Sequence, residues 1–75
     1  MKLPLLSSKE LIQILKKMGF DEVRQRGSHV YLKHPDGRAT VVPFHVGRDI
    51  GRGLLKAILN EIDMNREEFL KHLKK

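Results

Sequence analysis

Glu22-Val23-Arg24-Gln25-Arg26-Gly27-Ser28-His29-Val30-Tyr31-Leu32-Lys33-His34-Pro35-Asp36-Gly37-Arg38, running on to Phe44, is the stretch that decides the fold. Short runs with a period of two follow one another here, the period of strands with one face buried and one in water. Strands are predicted over 22–26, 28–34 and 38–44. Gly27-Ser28 supplies one tight connection and Pro35-Asp36-Gly37 the next, where glycine accepts the positive φ that a hairpin needs. The expected sheet is an antiparallel meander. Alternation sends Val30 and Leu32 to one face and His29, Tyr31 and Lys33 to the other. Arg24 and Arg26 alternate against Val23 in the same sense, so the open face is expected to carry arginines beside His29.

Helices flank this core. Ser7-Ser8-Lys9-Glu10 reads as a capping box with Ser7 at the N-cap and Glu10 three positions on, while Leu6 and Leu11 hold the hydrophobic-staple positions. Leu11, Ile12, Leu15 and Met18 form one stripe of a helix over 8–18, which Gly19 can end in the left-handed conformation. Residues 45–53 form a glycine-rich loop leading into a second helix with Leu54, Leu55, Ile58, Leu59 and Ile62 on its apolar side. Asn65, Glu68, Met64 and Phe69 repeat the cap and staple signals of a short terminal helix. The order α-β-β-β-α with a helical tail makes the fold class α+β, a three-stranded meander covered on one face by helices. Residues 1–75 are expected to form a single domain.

Composition narrows the function. Fifteen Lys and Arg against nine Asp and Glu leave a formal charge of +6, which favours polyanionic partners such as nucleic acid or an acidic protein. Between residues 24 and 52 the cations Arg24, Arg26, Lys33, Arg38, Arg48 and Arg52 meet only two acids, Asp36 and Asp49, so the positive field surrounds Gly27-Ser28-His29. A chain of 75 residues builds a thin core, and a substrate is expected to lie across its surface. The absence of cysteine removes disulfides, thiolate nucleophiles and Cys-based zinc sites. No apolar run reaches the roughly 18 residues that span a bilayer, and Met1 to Leu6 lacks the core of a signal peptide. The expectation is a cytoplasmic protein without a membrane association.

Chemistry centres on the histidines. An imidazole titrates near pH 6.5, so it can both take and give a proton under physiological conditions. With RNA along the basic face, His29 could take the proton of a ribose 2′-hydroxyl, which then attacks the adjacent phosphate while arginines stabilise the added charge. The plain alternative is a solvent-facing strand histidine. His45, after Pro43-Phe44, is either a second acid–base group or a hydrogen-bonded loop residue; His34 reads as a turn residue and His72 as solvated. The four histidines lie on different elements without metal-ligand spacing, so no metal is expected. The loop from Gly47 to Gly53 lacks the Gly-Lys-Ser/Thr ending of a nucleotide-binding loop, and no cofactor is expected; it either admits a phosphate to the next helix or is structural. Tyr31 could stack on an unpaired base or simply favour the strand.

Arg24-Gln25-Arg26-Gly27-Ser28-His29, His34-Pro35-Asp36-Gly37-Arg38, Val42-Pro43-Phe44-His45 and Gly53-Leu54-Leu55-Lys56-Ala57-Ile58-Leu59, in this order and spacing, resemble the HicA/YcfA family of toxins from about Ser8 to Leu73. The resemblance implies a double-stranded-RNA-binding-like fold, endoribonuclease activity on mRNA, and neutralisation by a HicB-type antitoxin in a type II toxin–antitoxin pair. It maps the catalytic histidine of the Gly-Ser-His motif onto His29. Many relatives carry a second histidine where this chain has Val30, and the later Gly-Thr-Leu pattern reads Gly53-Leu54-Leu55. The candidate RNA-contacting set is Arg24, Arg26, Gly27, Ser28, Tyr31, Lys33, Arg48 and Arg52. A non-catalytic RNA-binding module using the same surface is the alternative reading.

Overall fold

The computed structural model describes residues 3–73. Strand β1 (Leu6–Ser7) leads directly into helix α1 (Ser8–Lys17), followed by β2 (Asp21–Arg26), β3 (His29–Lys33), β4 (Ala39–Pro43), β5 (Asp49–Ile50), α2 (Arg52–Glu61) and α3 (Arg66–Leu73). The three longer strands form an antiparallel sheet in the order β2-β3-β4, the expected meander, and the chain is α+β.

The caps form as their chemistry requires. Ser7 Oγ accepts the Glu10 backbone N–H at 3.1 Å, and the Ser7 N–H donates to the Glu10 carboxylate at 2.9 Å. This second bond holds the Glu10 carboxyl below its ordinary pKa, because a hydrogen-bond donor favours the charged form. Helix α1 ends with the Phe20 N–H on the Leu15 carbonyl, the Gly19 N–H on the Lys16 carbonyl, and Gly19 at φ +105°. These are the two bonds of a Schellman motif, and its usual apolar contact is available because Leu15 and Phe20 are both buried. Helix α2 ends the same way, with bonds from Met64 to Leu59 and from Asp63 to Asn60, but here an aspartate takes the left-handed position at φ +56°. Asn65 Oδ1 caps α3 through the Glu68 N–H at 2.8 Å.

Helices α1 and α2 cover one sheet face. Val30, Leu32 and Val42 point inward from β3 and β4 to join Leu11 and Leu15 of α1, Leu55, Ile58 and Leu59 of α2, and Phe69 of α3 in one buried cluster. Thr40 is the inward-facing polar residue of β4, and its hydroxyl is satisfied by donating to Glu61 Oε1 at 2.7 Å.

Two features depart from the sequence expectation. The segment 45–53 is not all loop: Asp49 and Ile50 pair with Ser7 and Leu6 in a two-residue antiparallel ladder, and α2 starts at Arg52. The ladder brings Leu6 and Ile50 together as buried neighbours. The alternation of β2 is also broken. Glu22 pairs with Leu32 but Arg24 pairs with Tyr31, leaving Val23 as the extra residue of a β-bulge. Val23 therefore does not enter the core opposite the arginines; it is 58% exposed.

At Gly19 an added Cβ would lie 2.7 Å from His34 Nε2, in a backbone conformation that L-residues avoid. Gly19→Ala is expected to lower stability by about 2 kcal/mol or more, whereas Asp63→Gly, which relieves the left-handed residue in α2, should raise it by about 0.5–1 kcal/mol. Urea unfolding of the two variants measures both.

Candidate nucleic-acid interface

The turn Gly27-Ser28 joins β2 to β3, with Arg26 and His29 paired across it. Only the first of its two central residues, Gly27, has positive φ (+57°), the pattern of a II′ hairpin that carries strands on with their natural twist. His29 is thereby fixed as the first residue of the central strand. On its other side it pairs with Pro43, and the Phe44 N–H donates to the Ser28 carbonyl beyond that pair.

Residues directly opposite on neighbouring strands share a face, with Cβ atoms about 5 Å apart. The open face thus reads in rows. Arg26, His29 and Pro43 form the first, Arg24, Tyr31 and Val41 the second, and Asp21, Lys33 and Ala39 the third. The bulge preserves this arrangement by absorbing Val23, and the arginines stand beside His29 as the alternation suggested. The Arg24 guanidinium carbon lies over the Tyr31 ring, 5.7 Å from its centroid. The Arg26 side chain has no hydrogen bond or ion pair among the described residues. Glu22 is drawn to the helix side, 3.6 Å from Lys16 Nζ, and does not neutralise the arginines. Lys33 faces Asp21 across the ladder, so the positive charge is concentrated at the His29 end.

The histidines separate clearly. The His29 imidazole is exposed and has no hydrogen-bond partner among the described residues. His34 is half-buried with both ring nitrogens engaged: Nε2 faces the Met18 carbonyl at 3.2 Å, and Nδ1 accepts the Asp36 N–H at 3.1 Å. Nδ1 also lies 3.0 Å from Asp36 Oδ1, a contact that is an ion pair when the ring is protonated. Its ring meets Phe20 edge-on at 5.1 Å between centroids. His45 lies two residues beyond Pro43, at the same end of the sheet as His29; its side chain is exposed, its N–H is 3.5 Å from Ser8 Oγ, and its carbonyl accepts the Arg48 N–H. No hydrogen bond joins His45 to His29. His72 is exposed on α3. Among the described residues no three His, Cys, Asp or Glu side chains are grouped to hold a metal ion.

The arginines separate too. Arg48 is exposed on the short loop after β4, close in sequence to the His29 end. Arg52 starts α2, in the helix layer, and its Nε donates to the Leu3 carbonyl at 2.6 Å; it does not share the face of His29. Arg38, counted in the positive field, is half-buried and structural. It donates from Nη1 to the Ile62 carbonyl at 2.9 Å, pairs from Nε with Asp36 at 2.8 Å, and lies over the Phe20 ring at 5.3 Å. The Arg38 backbone N–H is the main reason that the Asp36 carboxyl sits below its ordinary pKa.

Sequence reasoning left Ser8 without a role. It is 3% exposed, and its hydroxyl donates to the Pro43 carbonyl at 2.8 Å, tying the start of α1 to the strand that pairs with His29. Only the doubled serine at the helix start hints at it, since the N-cap needs one.

Helices on one face of a three-stranded antiparallel meander, with an open basic face on the other, define a double-stranded-RNA-binding-like α+β fold. The family model of the HicA toxin of bacterial toxin–antitoxin systems matches residues 8–64, from the start of α1 through the end of α2, and the chain belongs to that family. Comparison with curated proteins found no match. No helix among the described residues is long and apolar enough to cross a membrane.

The contrast between the histidines is measurable. His34→Ala removes two hydrogen bonds and an aromatic contact and is expected to cost about 2–4 kcal/mol, while His29→Ala should stay within about 0.5 kcal/mol of the parent; thermal and urea unfolding read both.

Proposed function

We propose that the protein is the toxin of a type II toxin–antitoxin pair, a metal-independent endoribonuclease that cuts mRNA in the cytoplasm and is neutralised by a HicB-type antitoxin. Family membership supports the toxin role. The observation that carries the chemistry is the exposed, unpartnered His29 imidazole on the same sheet face as Arg24 and Arg26.

His29 takes the proton from a ribose 2′-hydroxyl, and the 2′-oxygen attacks the adjacent phosphorus. The bond from phosphorus to the 5′-oxygen breaks, and the leaving oxygen receives a proton from an imidazolium, either His29 itself or His45. Arg26, with Arg24 one row along, meets the negative charge that builds on the phosphoryl oxygens. A surface reaction suits the geometry, because His29 is exposed on the open face of the sheet. Gly27 and Ser28 keep the turn beside the imidazole small enough for a backbone to pass. Lys33 and Arg48 extend the phosphate track. Arg52 serves RNA only if the strand continues around to the start of α2. The antitoxin inhibits by covering the basic face and His29 together, for which acidic groups are suited.

Purified parent and His29→Ala proteins incubated with mixed-sequence RNA in excess EDTA test this. General acid–base catalysis contributes roughly 10²–10⁴-fold, so the variant should lose at least about a hundredfold in cleavage rate while keeping RNA affinity within a few-fold. Equal cleavage by the variant would sink the histidine mechanism. Intact RNA with both proteins, despite salt-dependent binding, would favour the non-catalytic RNA-binding module.

A further inference from the structure

The open face is not uniformly basic. Past the His29 row the sheet surface dips into a hollow of about 230 Å³, whose lining includes Val23, Tyr31, Lys33, Ala39 and Val41. Its lining is mainly apolar. The β-bulge creates one wall, because it turns Val23 outward to stand 58% exposed instead of letting it alternate into the core. Tyr31 forms another wall and is half-buried.

We infer that this hollow receives one unpaired base of the RNA, so that the strand is single-stranded next to the phosphate that His29 attacks. The inference rests on the RNA-cleaving function proposed above and specifies the form of its substrate. Three observations converge on it. Tyr31 lies two residues from His29 on the same strand face, about 7 Å along the strand, a separation of the order of one nucleotide step. The hollow is apolar and has an aromatic wall, which suits the face of a base; stacking on aromatic side chains is how unpaired bases are commonly held. Cations sit where the flanking phosphates must run, with Arg24 over the Tyr31 ring and Arg26 in the next row. A base locked in a duplex is stacked and paired, and cannot enter without being pulled out.

Binding decides the matter independently of cleavage. The full-length His29→Ala protein would be titrated at one salt concentration with a single-stranded RNA carrying 2-aminopurine, with a fully abasic ribose-phosphate strand of equal length and charge, and with the corresponding duplex. The single strand should bind roughly tenfold or more tighter than the abasic strand, and 2-aminopurine fluorescence should be quenched in the single strand but not in the duplex. Tyr31→Ala and Val41→Asp should abolish the preference over the abasic strand, while Tyr31→Phe keeps it. If Tyr31→Ala fails to fold, the comparison of the three RNAs on His29→Ala and the Val41→Asp and Tyr31→Phe variants still give the answer. Equal affinity for the intact and abasic strands, with RNA bound, overturns the base-binding hollow and leaves the ribonuclease reading standing. Failure to bind any of the three overturns both.

Discussion

The structure depends on a cluster at one end of the sheet, where the edge of the His34 ring meets Phe20 and the Arg38 guanidinium lies over the same Phe20 ring. Four elements meet there. The His34 Nε2 contact reaches the Met18 carbonyl at the end of α1, the Asp36 carboxylate fixes the turn from β3 to β4, and Arg38 reaches the Ile62 carbonyl at the end of α2. Helix ends leave carbonyls without intrahelical partners, and here two of them are met by side chains of one hairpin turn. Gly19 makes the close approach possible, since no side chain stands between the end of α1 and the imidazole.

The opposite end of the sheet is held differently. The His29 end is held by backbone pairing to Pro43 and by the Ser8 hydroxyl on the Pro43 carbonyl, neither of which uses the imidazole. A histidine whose position is set through its backbone keeps both ring nitrogens available. The same division applies to the cations: Arg38 and Arg52 are bound to carbonyls of the fold, whereas Arg26 faces solvent beside His29. Net charge alone could not make that distinction, because a guanidinium that caps a helix and one that faces solvent look alike in a composition.

Much of this was legible in the residues because local chemistry and the final packing agree. The capping box at Ser7 and Glu10, the left-handed Gly19, the Asn65 cap and the two hairpin turns each form where short-range geometry demands. The placing of Arg24 and Arg26 on the face of His29 followed from alternation. What stayed hidden depends on distant partners. A two-residue ladder between Leu6–Ser7 and Asp49–Ile50 has no periodicity to detect. The bulge at Val23 is a mismatch between two strands, and neither strand alone reveals it. Ser8 and Arg38 find their roles only when residues 35 and 24 positions away arrive beside them.

The claim that His29 works through the ribose hydroxyl is tested most directly by the chemistry of the cut ends. RNA cleaved by the purified protein should carry 2′,3′-cyclic phosphate and 5′-hydroxyl termini, and a single 2′-deoxyribose on the 5′ side of the cut should protect that site. Termini with a 3′-hydroxyl and a 5′-phosphate, or undiminished cutting at the deoxy position, would contradict it, because water and not the neighbouring hydroxyl would then be the nucleophile.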